Sequence, residues 1–132
     1  MILTTKIPYR FAIGAMVAIL LLVLIFHVLI LIQIIPYAIV WAGKLENVQE
    51  MVVFEMISIV VNLVLIFVIL TQGNYLKIDF SQKVLNFTLW VFIVVFSLNT
   101  IGNLFSKTSF ETIVFTPLTF ISAILCYRIL KK

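Results

Sequence analysis

The chain has 132 residues, 64% of them hydrophobic and 11% charged, with a formal net charge of +4. A soluble domain of ordinary composition is about 25% charged, and a chain this small has too large a surface-to-volume ratio to hide so much apolar surface from water. Composition therefore excludes an ordinary water-soluble fold, and the few scattered basic residues exclude a nucleic-acid partner.

Lys6 and Arg10 precede the first apolar run, residues 11–35. A secretory signal has an apolar core of only about 7–15 residues, so this longer run reads as a retained first span. It carries His27 and Gln33, and it places Gly14 and Ala18 four apart, a spacing that permits close helix approach. The stretch "PYAIVWAGK" (36–44) stays apolar after that span is complete. Pro36 blocks a helical backbone bond, and Tyr37 and Trp41 suit the headgroup belt. A kinked extension or an interfacial segment is expected there. Next, "NVQE" (47–50) fits a capping box with Asn47 as cap and Glu50 three residues on.

The second run, residues 51–70, places Glu55, Ser58 and Asn62 at i, i+3 and i+7, on one helical face. A polar turn with Gly73 and Asn74 as breakers follows. The third run, residues 84–105, carries Ser97, Asn99, Thr100 and Asn103. "TSFE" (108–111) is a second capping box, with Thr108 as cap, and it opens the fourth run, residues 113–130. That run holds Thr116, Thr119 and Ser122, and Pro117 is expected to kink it. Each run approaches or exceeds the roughly 20 residues needed to cross a bilayer core. None alternates polar and apolar as barrel strands do.

The expected fold is an all-α integral membrane protein, a single domain over residues 1–132 with four transmembrane helices in an antiparallel bundle. Lys6, Arg10, Lys77, Lys83, Arg128, Lys131 and Lys132 fall on one side of it. Only Lys44 and Lys107 fall on the other, beside Glu46, Glu50 and Glu111. The positive-inside rule makes the basic side cytoplasmic, so both termini are expected in the cytoplasm, with a bacterial inner membrane as the location. "EMVVFEMIS" (50–58) aligns with "ETIVFTPLT" (111–119), matching Glu50 to Glu111, Phe54 to Phe115 and Ser58 to Thr119. This raises a tandem pair of duplicated helical hairpins.

In that topology most polar span residues fall in the outer half of the bilayer. Lipid offers them no partners, so their faces should turn toward one another or toward water. An ionisable group inside a span defaults to a functional hypothesis. Glu55, the one acid within these runs, is the expected centre of a polar pocket. Asn62, Asn99 and Asn103 would supply orienting amides, with Ser58 beside them and His27 at the floor. These six are the candidate ligand- or proton-binding residues; the remaining Ser and Thr residues are read as interhelical glue.

One His and one Cys make no metal-ligand set, no Gly-rich phosphate loop is present, and Cys126 is read as packing, so no cofactor or metal is expected. Small multidrug transporters carry their membrane-embedded Glu in the first span, whereas this one lies in the second, and no family is assigned. Three classes of function follow. The first is a membrane protein binding a small ligand or lipid, or serving as an accessory subunit. The second is an oligomeric channel or proton-coupled transporter. The third is a membrane enzyme using Glu55 and His27 as an acid–base set on an apolar substrate. The expected partners are the lipid bilayer, a lipid or small ligand, and further copies of the chain.

Overall fold

A computed structural model describes residues 7–39, 45–106 and 108–131. Among the described residues there are helices and no strands. Helix α1 is Tyr9–Leu31, α2 is Val48–Gln72, α3 is Gln82–Leu104 and α4 is Thr116–Leu130; a 3-10 turn, Tyr37–Ile39, follows α1, and a π-helical turn, Glu111–Phe115, runs into α4. All four units, the last counted from Glu111, are long and apolar enough to cross a membrane.

Helix α1 stops earlier than its apolar run suggests. Gln33 adopts a left-handed φ of 65°, and the amides of Ile34 and Ile35 both return to the Leu29 carbonyl, at 2.9 and 3.2 Å. This closes the helix before Pro36, so no kinked continuation forms from it; Trp41 and Lys44 lie outside the described residues. At the start of α2, Asn47 Oδ1 accepts the Glu50 amide at 2.9 Å, and Glu50 Oε1 accepts the Glu46 amide at 2.9 Å. The capping box therefore forms with its return bond shifted one residue outward. Helix α2 ends at Gly73 and a left-handed Asn74, φ 64°. A Cβ at Gly73 would press on Ile13 Cδ1, the movable end of that side chain on α1.

The fourth unit is irregular where Pro117 requires it to be. In a regular helix the proline ring clashes with the carbonyl four residues back. Here the amide of Thr116, immediately before it, bonds the Glu111 carbonyl five residues back, which widens the turn ahead of the ring. The corresponding part of α2 is continuous α-helix, so the two stretches aligned in sequence differ in backbone.

Helix α1 packs on α2 and α4, and α3 packs on α4; α2 and α3 meet far less. A core including Ile13, Met16, Leu20, Leu65, Leu89 and Cys126 joins all four helices in one half of the molecule. Ties at that end, which carries Arg10 and Arg128, secure it. Tyr9 donates to the Gln72 carbonyl at 3.2 Å and Gln82 Nε2 to Gln72 Oε1 at 2.7 Å. Arg128 Nε donates to the Ile7 carbonyl at 2.7 Å. Gln72 is buried, and its amide is satisfied on both sides, since Nε2 also donates to the Ile129 carbonyl at 3.4 Å. A smaller core, Ile30, Leu45 and Met51, closes the opposite end, which carries Glu46, Glu50 and Glu111. Large apolar side chains such as Leu22, Phe87, Leu98 and Ile113 face outward. Gly14 also faces out, with nothing within 4 Å of an added Cβ, so the Gly14–Ala18 spacing is not a seam within the chain.

Candidate functional site

Between the two cores lies a cavity of about 430 Å³, within the range of small-ligand sites. His27, Glu55, Ser58, Asn62, Asn99 and Asn103 all line it. Three helices therefore bring the six sequence candidates to one space. Leu20, Leu65 and Phe92 belong both to its lining and to the larger core, so packed hydrocarbon floors it toward the basic end. On the α1 and α4 sides the lining is buried, as at Leu20 and Ser122. On the α2 and α3 sides it is exposed, as at Ile57, Val61 and Val95. The cavity therefore opens between α2 and α3, which meet far less than α1 does with α2 or α3 with α4.

The strongest polar contact joins α1 to α2. His27 Nδ1 lies 2.5 Å from Glu55 Oε2, and the Glu55 side chain is 0% exposed. Glu55 sits two turns into α2. Whatever the position of the shared proton, Nδ1 is committed to Glu55, and Nε2 is the ring nitrogen left for a second partner. The pairing fixes the imidazole much as a carboxylate fixes a catalytic histidine.

The other polar groups divide into two sets. The hydroxyls turn back on their own helices: Ser58 on the Phe54 carbonyl at 2.9 Å, Thr119 on Phe115 at 2.7 Å, Ser122 on Leu118 at 2.8 Å. Thr100 and Thr119 also meet across α3 and α4 at 2.9 Å. The asparagines differ. Asn62 donates to the Ser58 carbonyl at 2.7 Å, while the Asn99 and Asn103 side-chain amides make no hydrogen bond among the described residues. Thr116 Oγ1 is buried without a partner among the described residues as well.

One lining residue escaped the sequence reading. Glu111 reads as the third position of a helix cap, and its amide does lie 3.4 Å from Thr108 Oγ1. Its side chain is nevertheless buried, lines the cavity, and accepts Ser106 Oγ at 2.8 Å. Thr108 Oγ1 lies 3.2 Å from the same carboxyl oxygen and 2.9 Å from the Ile39 carbonyl, so one hydroxyl proton serves both. Beside Glu111, Phe26, Phe110 and Phe115 form a ring cluster with centroids 5.2 to 5.7 Å apart. The signal that could have found Glu111 is Pro117: a proline inside an apolar run marks an irregular helix start whose residues need not follow the α-helical face.

Among the described lining residues there is no Lys or Arg, and no group of three His, Cys, Asp or Glu could hold a metal ion. Comparison with protein-family models, curated proteins and solved structures gives no match.

Proposed function

We propose that the protein is an integral membrane protein with four antiparallel spans and both termini in the cytoplasm. Its cavity binds a small amphipathic ligand or lipid, either as a binding protein or as an accessory subunit. The observation that carries this reading is the contact between His27 and the fully buried Glu55, set in a ligand-sized cavity beside the Asn99 and Asn103 amides, which make no hydrogen bond among the described residues. Hydrocarbon cannot satisfy such groups, so an occupant that hydrogen-bonds is favoured. The basic residues Arg10, Lys77, Lys83 and Arg128 support that orientation, in which the cavity would lie in the outer half of the bilayer. The packed floor of Leu20, Leu65 and Phe92 favours binding over conduction through a single chain.

A second reading, a membrane enzyme acting on an apolar substrate, is favoured by His27 alone. Glu55 holds one ring nitrogen and leaves the other for proton transfer.

Purification in mild detergent followed by mass spectrometry of retained small molecules, for wild type and Glu55→Gln, tests the primary reading. A species bound to wild type and lost from the variant is expected. Identical spectra from the two proteins would overturn the reading.

A further inference from the structure

Away from the cavity, the charged side chains are sorted by end. We propose that the basic end of the bundle binds anionic phospholipid, with the lipid phosphate held at Arg10 and Arg128. This goes beyond the cavity and rests only on the membrane-spanning part of the reading above.

The sign of this end follows from sequence and fold together. Hydrogen bonds of Gln72 with Tyr9, Gln82 and Ile129 gather the start of α1, the end of α2, the start of α3 and the end of α4. These ends and the α2–α3 connection carry Arg10, Lys77, Lys83, Arg128 and Lys131 against one acidic side chain, Asp79. The other acids lie elsewhere, Glu55 inside α2 and Glu46, Glu50 and Glu111 toward the opposite end. The residues outside the described ones include lysines and no acid, so they cannot reverse the sign. Among the described residues none of the five cations is in an ion pair with a carboxylate.

The helix starts repeat the contrast. Glu50 stands in the first turn of α2, and Glu111 in the turn that leads into α4. Neither α1 nor α3, which begin at the basic end, has an acid in its first turn. The positive charge there is left for an anion outside the chain.

The two arginines sit at the depth of lipid headgroups. Arg10 is the second residue of α1, and Arg128 lies in the last turn of α4. At the helical rise both are within about 3 Å of a helix end. Arg128 Cζ is 5.2 Å from the centre of the Tyr9 ring, and Arg10 Cζ is 5.8 Å from that of Tyr75. Tyrosines of this kind mark the membrane–water boundary. Arg128 Nε donates to the Ile7 carbonyl, while its two terminal nitrogens make no hydrogen bond among the described residues. A guanidinium held in this way presents its fork to a phosphate. The cations also come from three helices and a connection, so they surround the bundle where lipid phosphates lie, and basic clusters at the ends of spans attract anionic lipid.

The test uses the full chain in phosphatidylcholine vesicles holding a trace of phosphatidylglycerol or phosphatidylcholine, spin-labelled near the chain end. Electron spin resonance separates lipid slowed against the protein from bulk lipid. Wild type is expected to favour phosphatidylglycerol about fivefold, the effect of about one Lys or Arg at a charged membrane surface. The double variant R10Q/R128Q is expected to lose most of that preference and R10K/R128K to keep it. K44Q/K107Q, which removes the same charge from the opposite connections, is expected to keep it, as is wild type with inorganic phosphate replacing chloride at matched ionic strength. Equal slowing of the two lipids, an intact preference in R10Q/R128Q, a full loss in R10K/R128K or an equal loss in K44Q/K107Q would overturn the proposal and leave the membrane-spanning reading in place. Loss of the preference in inorganic phosphate would make this a site for a free anion and overturn the lipid assignment. No slowed lipid of either kind would overturn the proposal and the membrane-spanning reading together. A circular-dichroism melt of each variant shows that it is folded when compared.

Discussion

Removing either partner of the His27–Glu55 pair should cost far more than removing an ordinary interhelical hydrogen bond. Hydrogen bonds between membrane helices average about 0.6 kcal/mol and reach about 1.7 kcal/mol. A bond to a charged group contributes about 1.5–3 kcal/mol. The complete burial of Glu55 raises this contact above an ordinary interhelical hydrogen bond. A double-mutant cycle with His27→Ala and Glu55→Ala isolates the pairwise term, read by reversible unfolding in mixed micelles with circular dichroism. A coupling of about 2 kcal/mol or more is expected. The Thr100→Val and Thr119→Val cycle serves as the yardstick and should give about 0.6 kcal/mol, because each hydroxyl keeps a carbonyl on its own helix. A His27–Glu55 coupling no larger than the threonine yardstick would refute the reasoning that the pair is the dominant polar tie.

Three further outcomes follow from the same geometry. Gly73→Ala should lower the unfolding midpoint, because the new Cβ meets Ile13 Cδ1, and the loss should be smaller in an Ile13→Val background, which removes that atom. Gly14→Ala should leave the chain as stable or raise its stability by up to about 1 kcal/mol, since nothing lies near the new methyl and alanine is the better helix former. In a Cys126→Ser background, a membrane-impermeant maleimide applied to intact cells should label Glu46→Cys and spare Lys77→Cys. The opposite pattern would invert the proposed orientation.

The four long helices were legible because a helix suited to lipid is apolar over its whole length, and the chain has four such runs. Their ends were less so. The first run continues past Leu31, but the helix does not, because Gln33 turns left-handed; glutamine carries no turn signal, and an apolar run reports the solvent rather than the backbone. Gln72 reads as the edge of a loop, yet it is buried where α2, α3 and α4 meet. Only the packing of the helices reveals that α3 and α4 supply its side-chain partners.

The common cavity lining was legible as shared helical faces. Glu55, Ser58 and Asn62 share a helical face, and Asn99 and Asn103 lie one turn apart, so their placement along one cavity follows from spacing and chain direction. The direct contact between His27 and Glu55 does not follow from spacing, because the relative rotation of α1 and α2 is set by packing. Glu111 was hidden for a different reason. A capping motif accounts for its presence, and one sufficient explanation concealed a second position, on the cavity wall.

The central claim is that His27 is fixed by Glu55 and offers its other nitrogen to a ligand. The chain has a single histidine, so ring-labelled protein in lipid nanodiscs gives one imidazole to follow by nitrogen-15 NMR. The proton at Nδ1 should resonate far downfield, exchange slowly, and vanish in Glu55→Gln; adding an extract of the native membrane should move the Nε2 signal in wild type and not in that variant. A rapidly exchanging ring, indifferent to both the substitution and the extract, would contradict the account.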